Sequence, residues 1–414
     1  MNDIATVDLL LQRAPNVEVP EQTGYPVFDA DSHYYEAIDS LTRHLPKAYK
    51  SRGARWVDMN GKKRLLLGEK LYGLIPNPTF DPVAKPGCLH DYFACNLDRE
   101  GGSVIDLMGE LEPIRPEYRD RDARLNVMDR QGVAATVLFP TLAVGLEVAF
   151  QPDIEAMLAT FTAFNRWLDD DWGLNRGDGR IYAAPVISLS SPEWAVKEIE
   201  WAIERGARVV TLRNGPVYTE SGTTSPAAPE FDPFWARVEE AGILVAPHAG
   251  DDGYDFLAQM WEPGASFKIL FNSPMKKLVA SQRAVPDFFG ALICHRLFER
   301  FPKLKVASVE NGGSWVRDML KRLNRGHVQT PGYYKKNPID QFHEHIWIAP
   351  FWEDEIDDLL KYLPVDRLLF GSDWPHVEGV EKPLDFLDTI QCLSAADQRR
   401  VMRDNILEVL EGAA

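Results

Sequence analysis

Cysteine is scarce in this sequence. The 414 residues include four cysteines, Cys88, Cys95, Cys294 and Cys392, and no two of them form a CxxC pair. A disulfide framework and a thiolate metal site are therefore not expected. Scattered thiols fit a reducing compartment, so we expect a cytoplasmic protein.

Positive charge is also scarce relative to negative charge. The chain has 45 Lys and Arg residues against 62 Asp and Glu residues, which gives a formal net charge of −17. Such a field repels the phosphate backbone of nucleic acids and an anionic membrane surface. The chain has no apolar run long enough to span a bilayer, and its start lacks the pattern of a signal peptide. We expect a small-molecule substrate, and neither nucleic acid nor a membrane as partner.

Short apolar runs alternate with helical stretches along most of the chain. With 45% hydrophobic residues, the composition allows a large core. The predicted helices span 121–131, 154–172, 192–205, 232–241, 284–301, 315–325 and 354–362. The eight predicted strands begin at 27–28 and continue with 134–140, 180–187, 207–213, 243–248, 304–310, 346–351 and 368–373. Eight such units predict an α/β protein, specifically a (β/α)8 TIM barrel.

Two segments depart from this alternation. Residues 1–24 are predicted to form an N-terminal arm, which is consistent with a homo-oligomer such as a homodimer, and residues 25–414 are predicted to form the barrel. Residues 50–120 are predicted to be a long insertion after the first strand, lying over the active-site face. This insertion includes Asn60-Gly61 between two strand-like runs, which predicts a β-hairpin.

Side chains that can bind a metal ion stand at the ends of several predicted strands. Asp31 and His33 end the first strand, His248 the fifth, Glu310 the sixth and Asp373 the eighth. The C-terminal ends of barrel strands surround one mouth, so these side chains are expected to converge. Imidazoles and carboxylates without a thiolate suit a divalent ion such as Zn, Mn or Fe, which can activate water. Taken singly, Asp373 has a structural alternative as a helix cap.

Three further residues are candidates for substrate binding. Arg213 ends the fourth strand and can hold a substrate carboxylate with two nitrogens, although an ordinary salt bridge is an equal alternative. His295 is predicted on a helix before the Glu310 strand, where a structural role is the alternative. His376 follows Trp374-Pro375 in the last loop and can either line the pocket or face solvent.

The motifs resemble the amidohydrolase superfamily, and more narrowly the amidohydrolase-related family that includes aminocarboxymuconate-semialdehyde decarboxylases. The resemblance is carried by DADSH at 29–33, PH at 247–248, ENGG at 310–313 and GSDWPH at 371–376. It implies one divalent ion held by Asp31, His33, His248 and Asp373, with Asp373 also counted as catalytic.

Two positions depart from that family's pattern. Asp31 replaces the usual first histidine, and an additional oxygen ligand shifts the metal preference from Zn towards Mn or Fe. Glu310 replaces a histidine, and it is interpreted as a catalytic general base, with a ligand role as the alternative.

The resemblance implies a metal-dependent enzyme, and three functions are compared. Hydrolysis of a small aromatic or cyclic substrate comes first, because Glu310 beside a metal ion suits the activation of water. The alternative is non-oxidative decarboxylation of an aromatic or unsaturated carboxylic acid, with Arg213 holding a carboxylate. A degenerate, non-catalytic binding barrel is the third, motivated by the departures at Asp31 and Glu310.

Overall fold

Parallel β-strands form the centre of the structure. The structure is a computed structural model that describes residues 9–96, 104–265, 273–280 and 283–411. Its strands are β1 (Val27–Tyr34), β2 (Ala54–Met59), β3 (Lys62–Leu67), β4 (Lys70–Leu71), β5 (Val133–Pro140), β6 (Ile181–Ala183), β7 (Val209–Val210), β8 (Val217–Thr219), β9 (Gly222–Thr224), β10 (Leu244–Val245), β11 (Lys305–Ser308) and β12 (Ile346–Ile348). One parallel sheet has the order β1-β5-β6 and another has the order β12-β11-β10-β7.

Helices follow most of these parallel strands. They are α1 (Leu9–Arg13), α2 (His90–Phe93), α3 (Val104–Leu107), α4 (Arg121–Arg130), α5 (Leu146–Ala149), α6 (Ile154–Asp171), α7 (Pro192–Glu204), α8 (Asp232–Ala241), α9 (Asp255–Gln259), α10 (Pro274–Val279), α11 (Ala284–Cys294), α12 (Leu297–Arg300), α13 (Val316–Gln329), α14 (Pro338–His345), α15 (Ile356–Leu359), α16 (Ala395–Arg399) and α17 (Asn405–Glu411). The starts of α4, α6 and α7 are fixed by Asp120, Asp153 and Ser191, whose side chains accept hydrogen bonds from backbone N–H groups of the first turn. The mixed α/β class is therefore as predicted.

Alternate residues of the strands pack in two separate cores. In β10, Val245 packs with the helices, whereas its neighbour Leu244 packs in the second core. This alternation follows from the two-residue period of a strand. The second core contains side chains from all seven parallel strands: Phe28, Val137, Tyr182, Val209, Leu244, Ala307 and Trp347.

The eighth predicted strand, at 368–373, is an extended segment and not a regular strand. It pairs through isolated parallel bridges, Leu368 with Ile348 and Trp374 with Ser32. A regular ladder is interrupted because the carboxylate of Asp29 accepts the backbone N–H of Ser372 at 3.0 Å. A donor that would otherwise pair with a neighbouring strand is thereby used by a side chain.

The hairpin predicted at Asn60-Gly61 is present. Strands β2 and β3 pair antiparallel around it, and Asn60 and Gly61 have φ values of 53° and 72°. Two positive φ values are what a two-residue type I′ turn requires. A second hairpin, β8–β9, and the helices α14, α16 and α17 were not predicted from the sequence.

The helix predicted over 284–301 is interrupted. It ends at Cys294, and α12 begins after Arg296, whose φ is 60°. His295 is therefore the C-terminal cap of α11, which corrects the prediction that it lies within a helix. Among the described residues, no helix is long and apolar enough to cross a membrane. The first eight residues of the predicted arm lie outside the described part of the chain.

Glu36 joins the ends of β1 and β5 and is expected to make stability depend on pH. Its carboxylate accepts the backbone N–H groups of Leu142 and Ala143 at 2.7 and 3.3 Å. Burial raises the pKa of Glu36 from 4.5 to about 7. The folded state therefore binds more protons than the unfolded state between these pH values, so stability falls as pH rises through this window.

We expect Glu36→Gln to remove this part of the pH dependence. The variant should be more stable than the unchanged protein near pH 7 by up to about 3 kcal/mol, and the difference should vanish near pH 4. Urea unfolding of both proteins at several pH values measures this difference in the free energy of unfolding. The exposed Glu69→Gln is the control, and a pH-independent difference for Glu36→Gln would contradict the assignment.

Candidate metal centre

Residues from four separate parts of the chain meet at one end of the parallel strands. Donor atoms of Asp31, His33, His248 and Glu310 all lie within 4.8 Å of one another. A second group, with the same mutual distance, consists of His33, Glu310, Asp373 and His376. The residues at the strand ends therefore converge, as predicted. Asp373 belongs to the second group, and Glu310 belongs to both.

His33 is at the centre of both groups. Its Nε2 lies 3.3 Å from Oδ1 of Asp31, 3.2 Å from Oε2 of Glu310 and 3.3 Å from Oδ1 of Asp373. The residue is fully buried, and among the described residues neither ring nitrogen has a hydrogen-bond partner. A buried imidazole that faces three carboxylate oxygens without a hydrogen bond is typical of a metal ligand.

His248 is held so that one nitrogen faces the same point. Its Nδ1–H donates to the carbonyl oxygen of Ala249 at 2.9 Å, which leaves the Nε2 lone pair free. That Nε2 lies 3.1 Å from Oε2 of Glu310 and 3.4 Å from Oδ1 of Asp31. The ring stacks on Phe139 at a centroid distance of 4.6 Å. A backbone hydrogen bond on the outer nitrogen is the usual way to orient a ligating histidine.

The electrostatics of the cluster require positive charge. Burial opposes the ionised form of Asp31, but the neighbouring imidazoles of His248 and His33 outweigh it and hold the pKa of Asp31 below its usual range. Burial likewise opposes a charged His33, but the neighbouring Asp31 and Glu310 carboxylates raise its pKa to about 10. A proton on His33 thus compensates the negative charge of the carboxylates, as a bound cation would. The oxygen and nitrogen donors, together with the unpartnered His33 nitrogens, fit a divalent metal ion.

The backbone at the cluster is shaped for close approach. A Cβ on Gly371 would lie 2.6 Å from Cβ of Asp31, so any larger residue there would displace this carboxylate. Glu310 and Asp373 adopt φ values of 52° and 54°, in the left-handed region that non-glycine residues avoid. Backbone strain of about 1–3 kcal/mol at such residues is frequent at functional sites.

Asp373 and His376 lie in close contact. Oδ1 of Asp373 lies 2.7 Å from Nδ1 of His376. The Thr141 hydroxyl donates to the carbonyl oxygen of Tyr34 at 2.8 Å, so in its 2.9 Å contact with His376 it accepts the Nε2–H. Nδ1 of a neutral His376 then carries a lone pair that faces Oδ1 of Asp373, and among the described residues neither atom has a hydrogen-bond partner. Protonation of the Asp373 carboxyl lessens the repulsion between the two. Burial raises the pKa of Asp373 well above its usual value, as do nearby carboxylates, Glu310 first.

A buried arginine lies behind the cluster. Arg124 donates to Ser32 Oγ at 3.0 Å and to the carbonyl oxygen of His33. Its guanidinium lies over the Trp374 ring, 4.5 Å from the centroid, and burial lowers the pKa of Arg124 to about 9. This side chain therefore connects the segment bearing Asp31 and His33 to the segment that follows Asp373.

Two predicted substrate-binding residues lie outside the cluster. Arg213 contacts Glu147 at 3.1 Å and donates to the carbonyl oxygens of Asp252 and Pro216, so its guanidinium is used within the protein, as in the salt-bridge alternative. His295 contacts Ser225 Oγ at 2.6 Å and does not line the cavity above the cluster. Both residues lie outside the cluster because their side chains point away from it. The position of a residue at a strand or helix end does not determine the direction of its side chain. His376, in contrast, is buried in the site.

Several residues of the site were not predicted from the sequence, although the positions of some of them could have indicated a role. Thr141, Asn214 and Asn311 each follow the end of a predicted strand, which is the same signal that identified His248. The Asn214 amide donates to the carbonyl oxygen of His248 at 3.0 Å and to Asn311 Oδ1 at 2.9 Å. Arg124 lies in the middle of α4 and has no such signal.

A cavity of about 570 Å³ lies above the cluster. His33, His248, Glu310 and His376 are among the residues that line it. This volume falls within the range of about 300–1,000 Å³ that is typical of small-molecule sites. The candidate metal centre is therefore accessible to an organic ligand.

Comparisons with known proteins agree with this geometry. The amidohydrolase family model matches residues 103–411. Gamma-resorcylate decarboxylase of Rhodococcus jostii (strain RHA1) is 23% identical over 303 residues, covering 69% of this chain and 85% of that protein. An amidohydrolase from Mycobacterium avium subsp. paratuberculosis K-10 has a TM-score of 0.89 at 40% identity, covering 93% of this chain and 98% of that chain. A dihydroxybenzoic acid decarboxylase from Polaromonas sp. JS666, with bound manganese and the inhibitor 2-nitroresorcinol, has a TM-score of 0.61 at 16% identity, with 94% and 97% covered.

We expect the protein to bind a divalent metal ion at this cluster, and His248→Ala to weaken that binding at least about 10–100-fold, since even residues that only orient a ligand have effects of this size. Metal binding is measured by metal analysis after dialysis and by the shift in the thermal unfolding temperature when manganese is added. Bound metal stabilises by about 2.7 kcal/mol at 100 times its dissociation constant. His44→Ala, on the surface beside Asp170, is the control. Undiminished metal content in His248→Ala would contradict the site.

Proposed function

Because this chain belongs to the amidohydrolase family and is an enzyme, we propose that it catalyses the non-oxidative decarboxylation of a hydroxylated aromatic acid. Its similarity to gamma-resorcylate decarboxylase supports this activity. From the sequence, hydrolysis was the first expectation and decarboxylation the second, and the relatives named as decarboxylases favour decarboxylation. An intact cluster of donor atoms also speaks against a non-catalytic barrel.

For the scaffold, we propose a closed (β/α)8 barrel in which both parallel sheets form one ring. Isolated parallel bridges support the closure, since Val186 pairs with Thr211, Ile348 with Leu368, and Ser32 with Trp374. The second core supports it as well, because it joins side chains from strands of both sheets. Residues 50–120 are proposed as the insertion over the active-site face, since Leu74, Phe80 and other residues of this segment line the cavity.

For the metal, we propose that Asp31, His33, His248 and Glu310 hold one divalent ion. The oxygen-rich donor set favours manganese over zinc, and the manganese in the dihydroxybenzoic acid decarboxylase of similar fold agrees with that choice. When bound, the ion supplies Lewis-acid polarisation of substrate oxygen atoms. Asp373, which the sequence analysis counted both as ligand and as catalytic, is then available for proton transfer.

The close approach of Asp373 to His376 and to the carboxylate of Glu310, which favours the protonated form of Asp373, is the observation that carries this proposal. Loss of a carboxylate from an aromatic ring needs an acid beside the ring carbon, whereas hydrolysis needs a base beside water. Asp373 gives its proton to the ring carbon that bears the carboxylate. The bond from that carbon to the carboxylate then breaks, its electron pair returns to the ring, and carbon dioxide leaves. Solvent replaces the proton, and His376 orients the Asp373 carboxyl.

The other expectations of the sequence analysis are not tested by these features. A small-molecule substrate, the absence of a nucleic-acid or membrane partner, a homo-oligomeric assembly and a cytoplasmic location all stay predictions. The cavity volume supports the first of them, because it suits an organic molecule.

We expect the manganese-loaded protein to convert a hydroxybenzoate to the phenol and carbon dioxide. In deuterated water, one deuterium should appear on the ring carbon that lost the carboxylate, because Asp373 exchanges its proton with solvent. Asp373→Asn should lower kcat by about 10²–10⁴-fold. Gas release, together with NMR of the product, measures both effects.

Metal content of Asp373→Asn separates two roles for this residue. Retained metal with lost activity supports the role of acid, whereas lost metal supports the ligand role given by the sequence analysis. Asp252→Asn is the matched control, because Asp252 lines the same cavity without touching the cluster. A product that has gained water without release of carbon dioxide would contradict the decarboxylase.

A further inference from the structure

The cavity above the metal centre is polar at its floor and largely apolar along its walls. The floor is made by His33, His248, Glu310 and His376. Above it, the insertion contributes Leu74, Ile75, Phe80, Val83 and Met108, and the opposite wall contributes Val285. A small hydroxybenzoate bound at the floor would leave most of these apolar side chains in contact with water. The hydrophobic effect favours a ligand that covers them.

The apolar surface continues from deep in the cavity to its outer edge. Leu74, Phe80 and Val83 are buried, with exposures of 8%, 6% and 8%. Ile105 and Leu111 line the same cavity but are 60% and 48% exposed. Exposed large apolar side chains that join a cavity indicate a binding surface. A ligand that reaches them extends well beyond a single ring at the metal centre.

The charges of the cavity select against a second carboxylate on the ligand. Among the described lining residues, Lys276 is the only lysine or arginine, and it is already ion-paired with Asp255. Asp252 and Glu378 also line the cavity, and both are acidic. A carboxylate at the metal centre would face the bound cation, whereas a second one further out would face acidic side chains and apolar walls. Burying such a charge without a partner is unfavourable.

We propose that the substrate is an aromatic acid with a single carboxylate and a bulky, uncharged apolar substituent that lies against residues 74–83 and 105–111 of the insertion. The carboxylate end is where the proposed decarboxylation occurs, so the reacting end of the substrate rests on the proposed function. The apolar end depends on the cavity walls alone. The insertion is then the part of the chain that determines substrate size and polarity.

Three acids distinguish this substrate class, each titrated calorimetrically into the manganese-loaded full chain. They are 2,6-dihydroxybenzoate, the same acid with a hexyl chain opposite the carboxylate, and the hexyl acid with a second carboxylate at the chain end. We expect the hexyl acid to bind at least about tenfold more tightly than the unsubstituted acid, since two buried methylene groups give about that factor. The second carboxylate should abolish this gain.

The double variant Ile105→Asn/Leu111→Asn tests the location of the apolar end. It should reduce the advantage of the hexyl acid severalfold and leave binding of the unsubstituted acid unchanged. Met59→Asn is the matched control, because Met59 is 46% exposed on the β2–β3 hairpin and does not line the cavity. Equal binding of all three acids, or tighter binding of the diacid, would overturn the proposal.

Carbon dioxide release, assayed separately with the same acids, distinguishes the two proposals. Tight binding of the hexyl acid without carbon dioxide release would support the substrate class and refute the decarboxylase. Release from the unsubstituted acid, together with no gain from the hexyl chain, would support the decarboxylase and overturn the substrate class.

Discussion

The need of buried carboxylates for a positive charge is the constraint on which this structure depends. Asp31, Glu310 and Asp373 come within 3.4 Å of one imidazole nitrogen, that of His33. An arrangement of this kind is unfavourable unless a proton or a cation compensates it. The same requirement explains why a metal ion suits the site and why the pKa of Asp373 lies well above its usual value.

The scaffold supports this arrangement through contacts between distant segments. Gly371 leaves room for Asp31, and the side-chain amide of Asn214 connects the ends of neighbouring strands. Arg124 holds the backbone of His33 from behind. Because each contact joins residues far apart in sequence, the cluster forms only when the parallel strands are assembled, and the strained backbone at Glu310 and Asp373 is maintained by the same packing.

The chemistry of the floor and the polarity of the walls are consistent with each other. A ligand that covers the apolar walls excludes water from the centre, which strengthens electrostatic interactions there and disfavours reactions with water. Proton transfer to carbon benefits from such an environment more than hydrolysis does. In the proposed function, the segment that carries Leu74 and Phe80 selects the substrate, and the strands that carry Asp31, His33 and His248 provide the catalytic site.

The sequence by itself determined the α/β class, the hairpin at Asn60-Gly61 and the convergence of Asp31, His33 and His248, because apolar periodicity and residue type at strand ends are local properties. The tertiary structure alone decided which strand-end side chains point inwards. Arg213 turns to Glu147, whereas His376, in the last loop, turns to Asp373. Such directions depend on partners distant in sequence, which a local pattern does not contain.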